Sequence, residues 1–250
     1  MPDRVGVVLV YPSLLGTYGD GGNARILCER LRWRGVDACV LEVGLDEPLP
    51  RDADVYVLGG GEDTAQTLAV SALSADGGLA AATAAGKPVF AVCAGFQILG
   101  TTFLDGRGAD HPGLGLVDCV TKRLPGPRAV GELLARPDLP GVPALTGYEN
   151  HGGKTILGPG ARPLARVESG VGNGNGTEGA VQGSVVCTYA HGPALARNPG
   201  LADHLLAMAV GPLAPLDDGE EDELRRERLA AVRRTRRAFW RRQWRPPAAT

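Results

Sequence analysis

The chain has 250 residues, 44% of them apolar and 22% charged, with a formal net charge of −2. That suits one ordinary globular domain of about 210 residues plus a tail, gives no electrostatic case for nucleic acid, and leaves no run of the roughly 18 apolar residues that a membrane span needs. Five cysteines without paired spacing, and an N-terminus that runs from Met1-Pro2-Asp3-Arg4 straight into a strand, predict reduced thiols, no signal peptide and a cytoplasmic setting; with no CxxC and no His/Cys cluster, no metal is expected.

In chain order, Val5 to Val10 reads as a first strand and Asn23 to Arg34 as an amphipathic helix closed by Gly35. Ala38 to Val43 and Val55 to Leu58 are further strands. Thr64 to Ala85 reads as a long Ala-rich helix, with a break near Gly77-Gly78, and Val89 to Val92 as a fourth strand. This alternation predicts an α/β fold with a parallel sheet and right-handed crossovers. The second half changes character. Leu114 to Arg123, Arg162 to Val167, Gly179 to Gln182 and Val185 to Tyr189 read as short strands, partly antiparallel, at one side of the sheet. Gly170 to Gly176 is expected to be a flexible loop.

The chemistry concentrates in Val89-Phe90-Ala91-Val92-Cys93-Ala94-Gly95-Phe96-Gln97. An unbroken apolar run reads as a buried strand, then comes a sharp turn carrying a cysteine, then a helix start. Ala94 and Gly95 have almost no side chain, so a substrate can approach, and their amides at a helix N-terminus would face a developing oxyanion. Cys28, Cys39, Cys119 and Cys187 read as core. The partner for Cys93 is His191, at the end of a β-rich run stopped by Gly192-Pro193. Among the other histidines, His111 reads as solvated loop and His204 as structural, while His151 competes. Gly59-Gly60-Gly61 follows the third strand and predicts the second oxyanion amide, at Gly60, with Gly61 as the alternative.

The Cys93 elbow, Gln97 and the distant His191 resemble the class I glutamine amidotransferases. Gly147-Tyr148-Glu149-Asn150-His151 resembles the motif of the CobB/CobQ-like branch, and Tyr18-Gly19-Asp20-Gly21-Gly22-Asn23 resembles the opening of the stand-alone glutaminase subunits of lipid II isoglutaminyl synthases. The resemblance covers about residues 4 to 211 and implies a flavodoxin-like amidotransferase fold. It also implies hydrolysis of L-glutamine through a Cys93 thioester. Ammonia would then pass to a Mur-ligase-like (MurT-type) synthetase subunit in a heterodimer. That partner would use ATP and Mg to amidate the D-glutamate of lipid II to D-isoglutamine, near the membrane where lipid II resides. A corrinoid carboxylate as acceptor, or a non-catalytic binding module of the same fold, are the other readings.

Residues 147 to 155 also look like a phosphate loop, but the spacing before Gly153-Lys154 is wrong, so no ATP site is expected here and carboxylate activation falls to a separate subunit. Arg128 is expected to clamp the glutamine carboxylate, with Arg123 and Arg136 as rivals, and its place resembles the glutamine-binding arginine of those subunits. Gln97, one helical turn beyond Cys93, is expected to face the substrate. One departure stands out. The usual orienting acid two residues after the histidine is replaced by Pro193, which leaves Glu149, another internal acid, or an acid of the partner to complete the triad. Residues 212–250 read as a separate charged tail: an acidic cluster from Asp217 to Glu223, then ten arginines between Leu224 and Arg245, which suits a solvated helix. Leu229, Val232, Phe239, Trp240 and Trp244 give it some apolar surface for docking. Pro246 to Thr250 is expected to be disordered.

Overall fold

The computed structural model describes residues 4–105 and 107–243. Its first half mixes strands and helices in the order β1 (Val5–Val10), α1 (Gly22–Arg32), β2 (Ala38–Val43), β3 (Val55–Leu58), α2 (Asp63–Asp76), α3 (Gly78–Ala84), β4 (Val89–Val92) and α4 (Ala94–Leu99). The strands are short and rich in valine. β3 and β4 are buried at every residue, as strands covered on both faces must be. α1 ends because Gly35 takes a left-handed φ of 74° while the amides of Gly35 and Val36 cap the carbonyls of Arg32 and Leu31. The break between α2 and α3 is at Gly77, also left-handed, with φ 68°.

The second half runs β5 (Thr102–Leu104), β6 (Asp110–Pro112), β7 (Cys119–Arg123), β8 (Ala129–Pro137), β9 (Leu145–His151), β10 (Gly153–Leu157), β11 (Ala165–Ser169), β12 (Thr177–Glu178), β13 (Ala180–Gln182) and β14 (Val185–Thr188). Helices α5 (Ala194–Arg197), α6 (Pro199–Val210) and α7 (Gly219–Gln243) follow. The main sheet has the order β13-β14-β4-β3-β1-β2. It is parallel except for β13, which pairs antiparallel with β14. α1 packs with α5 and α6, and α2 with α3 and α4. Two four-stranded sheets, β10-β7-β5-β6 and β12-β11-β8-β9, flank it.

These side sheets are more extensive than the sequence suggests. β8, β9 and β10 were not expected, because Leu145–His151 is mostly polar or glycine and lacks a clean apolar period. It is a strand because it pairs with β8 over seven residues, from Leu145↔Ala135 to His151↔Ala129. Its inward polar groups also find partners: Asn198 Oδ1 accepts the Thr146 amide at 2.9 Å, and Asn198 Nδ2 donates to the Thr146 carbonyl at 2.8 Å. Residues 147 to 155 thus form two strands, not a strand, loop and helix around a phosphate. His111, expected in a solvated loop, lies in β6, 3.0 Å from Asp105 and stacked on Phe103. The glycine-rich run 170–176 is not loose either. The amides of Val171 and Gly172 donate to Glu149 at 2.7 and 2.9 Å, and Asn173 is fully buried, donating to the Gly179 carbonyl at 2.8 Å.

Within the tail, α7 (Gly219–Gln243) is helical, and its beginning docks on the domain. Arg225 donates to the Ala144 carbonyl at 3.0 Å, Arg228 lies 3.4 Å from Glu132, and Val232 is buried. Its base is tied down by Arg30, 2% exposed, whose guanidinium meets Asp203 at 2.7 Å and Asp218 at 2.8 Å, each through two bonds. Burial works against the Arg30 charge, but the two carboxylates outweigh it and hold its pKa above the usual arginine value. The side chains of Phe239, Trp240 and Trp244 and residues 246–250 lie outside the described residues. No described helix is long and apolar enough to cross a membrane.

Candidate active site

Strand order builds the site. β14, β4, β3 and β1 are adjacent and parallel, so their C-terminal ends open on one edge, where open α/β sheets keep their ligands. His191 follows β14, Cys93 follows β4, Gly60 follows β3, and the loop after β1 carries Asp20. Cys93 sits in a backbone conformation that side chains rarely adopt, φ 52° and ψ −104°, a local cost of about 1–3 kcal/mol tolerated where the surroundings over-determine it. Its amide is anchored to the Thr188 carbonyl at 2.9 Å.

His191 is 1% exposed. Its Nδ1 is 2.9 Å from Asp20 Oδ2, and the same oxygen accepts the Gly60 amide at 2.8 Å. Its Nε2 is buried without a conventional hydrogen-bond partner and is left for Cys93, whose sulfur interacts with the ring. Burial works against charge on the imidazole, but the Asp20 hydrogen bond and the neighbouring sulfur outweigh it, and the His191 pKa is pushed up to about 10. The acid that meets the imidazole is therefore Asp20, an internal acid from the far end of the chain. Pro193, in the place of the usual acid, packs against the same motif: a Cβ on Gly22 would sit 2.4 Å from the Pro193 ring. Glu149 is engaged elsewhere, on the amides of Val171 and Gly172 and 3.4 Å from His151. His151 stacks on Tyr189 with ring centroids 3.8 Å apart and borders the cavity rather than joining Asp20.

Two expectations about the oxyanion amides need correction. Gly60 is at the centre of the site, but its N–H is committed to Asp20. Gly95 donates to the Gly59 carbonyl at 3.1 Å. Among the described residues, the amides of Ala94 and Gly61 make no hydrogen bond, and both residues line a cavity of about 230 Å³ together with Cys93. Gly60 is a glycine for a different reason: a Cβ there would fall 2.7 Å from His191 Cε1.

Gln97 and Arg128 line the same cavity. Gln97 is held on both sides, accepting from Gln66 at 2.6 Å and donating to the Tyr189 hydroxyl at 3.3 Å, so its amide is a fixed wall. Arg128 is exposed at the mouth and donates to Asn150, from Nε to Oδ1 at 2.5 Å and from Nη2 to the main-chain oxygen at 3.0 Å. Arg123 also borders the cavity, whereas Arg136 is paired with Glu168 at 2.7 Å, away from it. Sequence reasoning missed Asp20, although it stands inside the Tyr18-to-Asn23 motif; nothing local distinguishes it from a turn aspartate.

The geometry is a buried Asp–His pair facing a strained cysteine, with two free amides beside it. The model of the CobB/CobQ-like glutamine amidotransferase domain matches residues 6–199. The chain is 32% identical over 230 residues, 89% of its length and 93% of the relative's, to the lipid II isoglutaminyl synthase (glutamine-hydrolyzing) subunit GatD of Staphylococcus aureus. It is 31% identical to the GatD subunit of Streptococcus pneumoniae, over 84% of this chain and 82% of that one. A cobyric acid synthase of Sphingopyxis alaskensis is 33% identical over 69% of this chain but only 35% of its own length. Among solved structures, a glutamine amidotransferase superposes with a TM-score of 0.57 at 22% identity, covering 82% of this chain and 99% of that one. A Thermotoga maritima glutamine amidotransferase gives 0.51 at 16%, covering 92% of this chain and 89% of that one. With cysteine, histidine and free amides at the ends of neighbouring parallel strands, and a family match over most of its length, the chain belongs to the CobB/CobQ-like glutamine amidotransferases.

Proposed function

We propose that this chain is the glutaminase subunit of a lipid II-amidating synthetase, working through Cys93, His191 and Asp20. The observation that carries the chemistry is the alignment of Asp20, His191 and Cys93 beside the free amides of Ala94 and Gly61. The imidazolium of His191 is the state reached once the thiol has passed its proton to Nε2, and Asp20 on Nδ1 keeps the ring in that orientation. The sulfur attacks the side-chain amide carbon of L-glutamine, and the two amides receive the oxyanion; a donor of this kind supplies about 2.7–4 kcal/mol. His191 returns the proton to the leaving nitrogen and ammonia departs. Water then adds to the thioester with its proton going to His191, and glutamate and the Cys93 sulfur are released. Arg128 fixes the substrate carboxylate at the mouth.

The acceptor reading rests on the two GatD relatives, which match this chain over most of both lengths. In it, a Mur-ligase-like subunit uses ATP and Mg, takes up the ammonia and amidates the D-glutamate of lipid II on the cytoplasmic side of the membrane. The test is ammonia release from L-glutamine by wild type and Cys93→Ala, alone and with that synthetase, followed by mass spectrometry of lipid II. Cys93-dependent ammonia, and D-isoglutamine only when both subunits are present, is the expected result. Because Asp20 completes the triad within one chain, measurable release by the chain alone is expected too. A strict requirement for the synthetase would return the orienting acid to the partner. Ammonia without lipid II amidation, but with amidation of a corrinoid carboxylate, would move the chain to the cobyric acid branch.

A further inference from the structure

Beyond the triad, one chain of contacts joins the substrate clamp to the histidine. Arg128 is exposed, and a free surface arginine gives up much rotamer freedom when it binds a carboxylate. Here that freedom is already spent. A guanidinium has two edges able to bind in pairs. Asn150 takes one of them, with its side-chain oxygen on Nε and its main-chain oxygen on Nη2. The other edge, ending in Nη1, lies over Gly152, where a Cβ would be 3.9 Å away, and Gly152 lines the Cys93 cavity. The Asn150 amide is held the right way round, because its NH2 donates to the Tyr18 hydroxyl.

Tyr18 is unusual in its own right. It has a positive φ of 60° and is 49% exposed, a poor arrangement for an aromatic residue without a role. Its ring meets the His191 imidazole edge to face, with centroids 4.9 Å apart. The strand carrying Asn150 also holds His191 by its backbone: His191 N donates to the Tyr148 carbonyl at 2.8 Å, and Tyr148 N to the His191 carbonyl at 3.2 Å.

We infer that Tyr18 and Asn150 are positioning residues, which present the free edge of Arg128 to the glutamine carboxylate and register it against the His191 ring. The inference rests on the glutaminase reading. Asn150 sets affinity for the substrate's carboxylate. The Tyr18 hydroxyl acts only through Asn150, while its ring bears on His191.

The test uses the full-length chain and two electrophiles for Cys93: 6-diazo-5-oxo-L-norleucine, which carries the glutamine carboxylate, and chloroacetamide, which does not. Asn150→Ala is expected to raise the half-saturating concentration of the first about tenfold and to change the rate with the second less than twofold. Tyr18→Phe is expected to weaken the first several-fold, and the double variant to be no weaker than Asn150→Ala. The relay is overturned if Asn150→Ala stays within twofold of wild type, if both reagents slow equally as a general defect would cause, or if the two substitutions multiply. Failure of wild type to be labelled at Cys93 by the glutamine-shaped reagent would instead overturn the glutaminase reading itself, and the relay with it.

Discussion

Replacing Gly60 by alanine adds one methyl group whose neighbours are known: 2.7 Å to His191 Cε1, 3.1 Å to Asp20 Oδ2 and 3.6 Å to Cys93 Cβ. Carbon–carbon contact is comfortable from about 3.5 Å, so the ring must withdraw by roughly 0.8 Å. Gly60 is not among the residues with positive φ, so alanine fits the backbone and the whole penalty comes from the collision. Overpacking of this kind costs about 1–3 kcal/mol of stability, and a misplacement near 1 Å in a reacting constellation costs about a hundredfold in rate. The expected result is therefore a folded protein with kcat/KM for glutamine hydrolysis reduced by about two orders of magnitude. A coupled assay for released glutamate measures it, with thermal unfolding run alongside. Gly60→Ala with kcat/KM within twofold of wild type would refute the argument from the methyl's position.

Further outcomes follow from the same contacts. Asp20→Asn removes the negative charge that faces His191 Nδ1, and is expected to lower kcat at least a hundredfold and to bring the His191 pKa down from about 10 toward its ordinary value near 6.5. NMR titration of the imidazole checks it, and an unmoved pKa would rule out Asp20 as the orienting group. Because His191 holds its proton more tightly when folded, its stabilising contribution is complete below about pH 6.5 and is lost as pH rises through about 10. Urea unfolding between those limits is expected to show stability falling with pH, and His191→Gln to flatten the slope; an unchanged slope counts against the pair. Arg30→Met leaves Asp218 without its cation and Asp203 with Arg34 alone, 2.7 Å away. Breaking a buried pair costs about 3–5 kcal/mol, and the lower end applies because the two carboxylates are 28% and 24% exposed. A change under about 0.5 kcal/mol in urea unfolding would show the cluster to be passive.

What could be read without coordinates was local. β1 through β4 follow from short apolar runs bounded by Gly, Pro and polar residues, and the ends of α1 and α2 from glycines that alone take a left-handed turn cheaply. The elbow at Cys93 declares itself in a dozen residues, and His191 by its place at a strand end. β9 was hidden because a strand of Thr, Gly, Tyr, Glu, Asn and His has no apolar period, and is stable only through β8 beside it and partners inside for its polar groups. The loop 170–176 looked loose because the Glu149 carboxylate that orders it is 22 residues away along the chain.

The acid that meets His191 was out of reach for the same reason at longer range. Asp20 and His191 are 171 positions apart and meet only because β1 and β14 end on the same edge of the sheet. The Gly60 amide is likewise taken up by Asp20 through a contact 40 residues long. The residue order was enough for the strands β1 to β4, for the elbow that presents Cys93 and for the family the chain resembles, since those depend on neighbours along the chain. Which acid orients the histidine, and which amides stay free, depends on strand order and on competition for each donor, and the tertiary structure alone decided both.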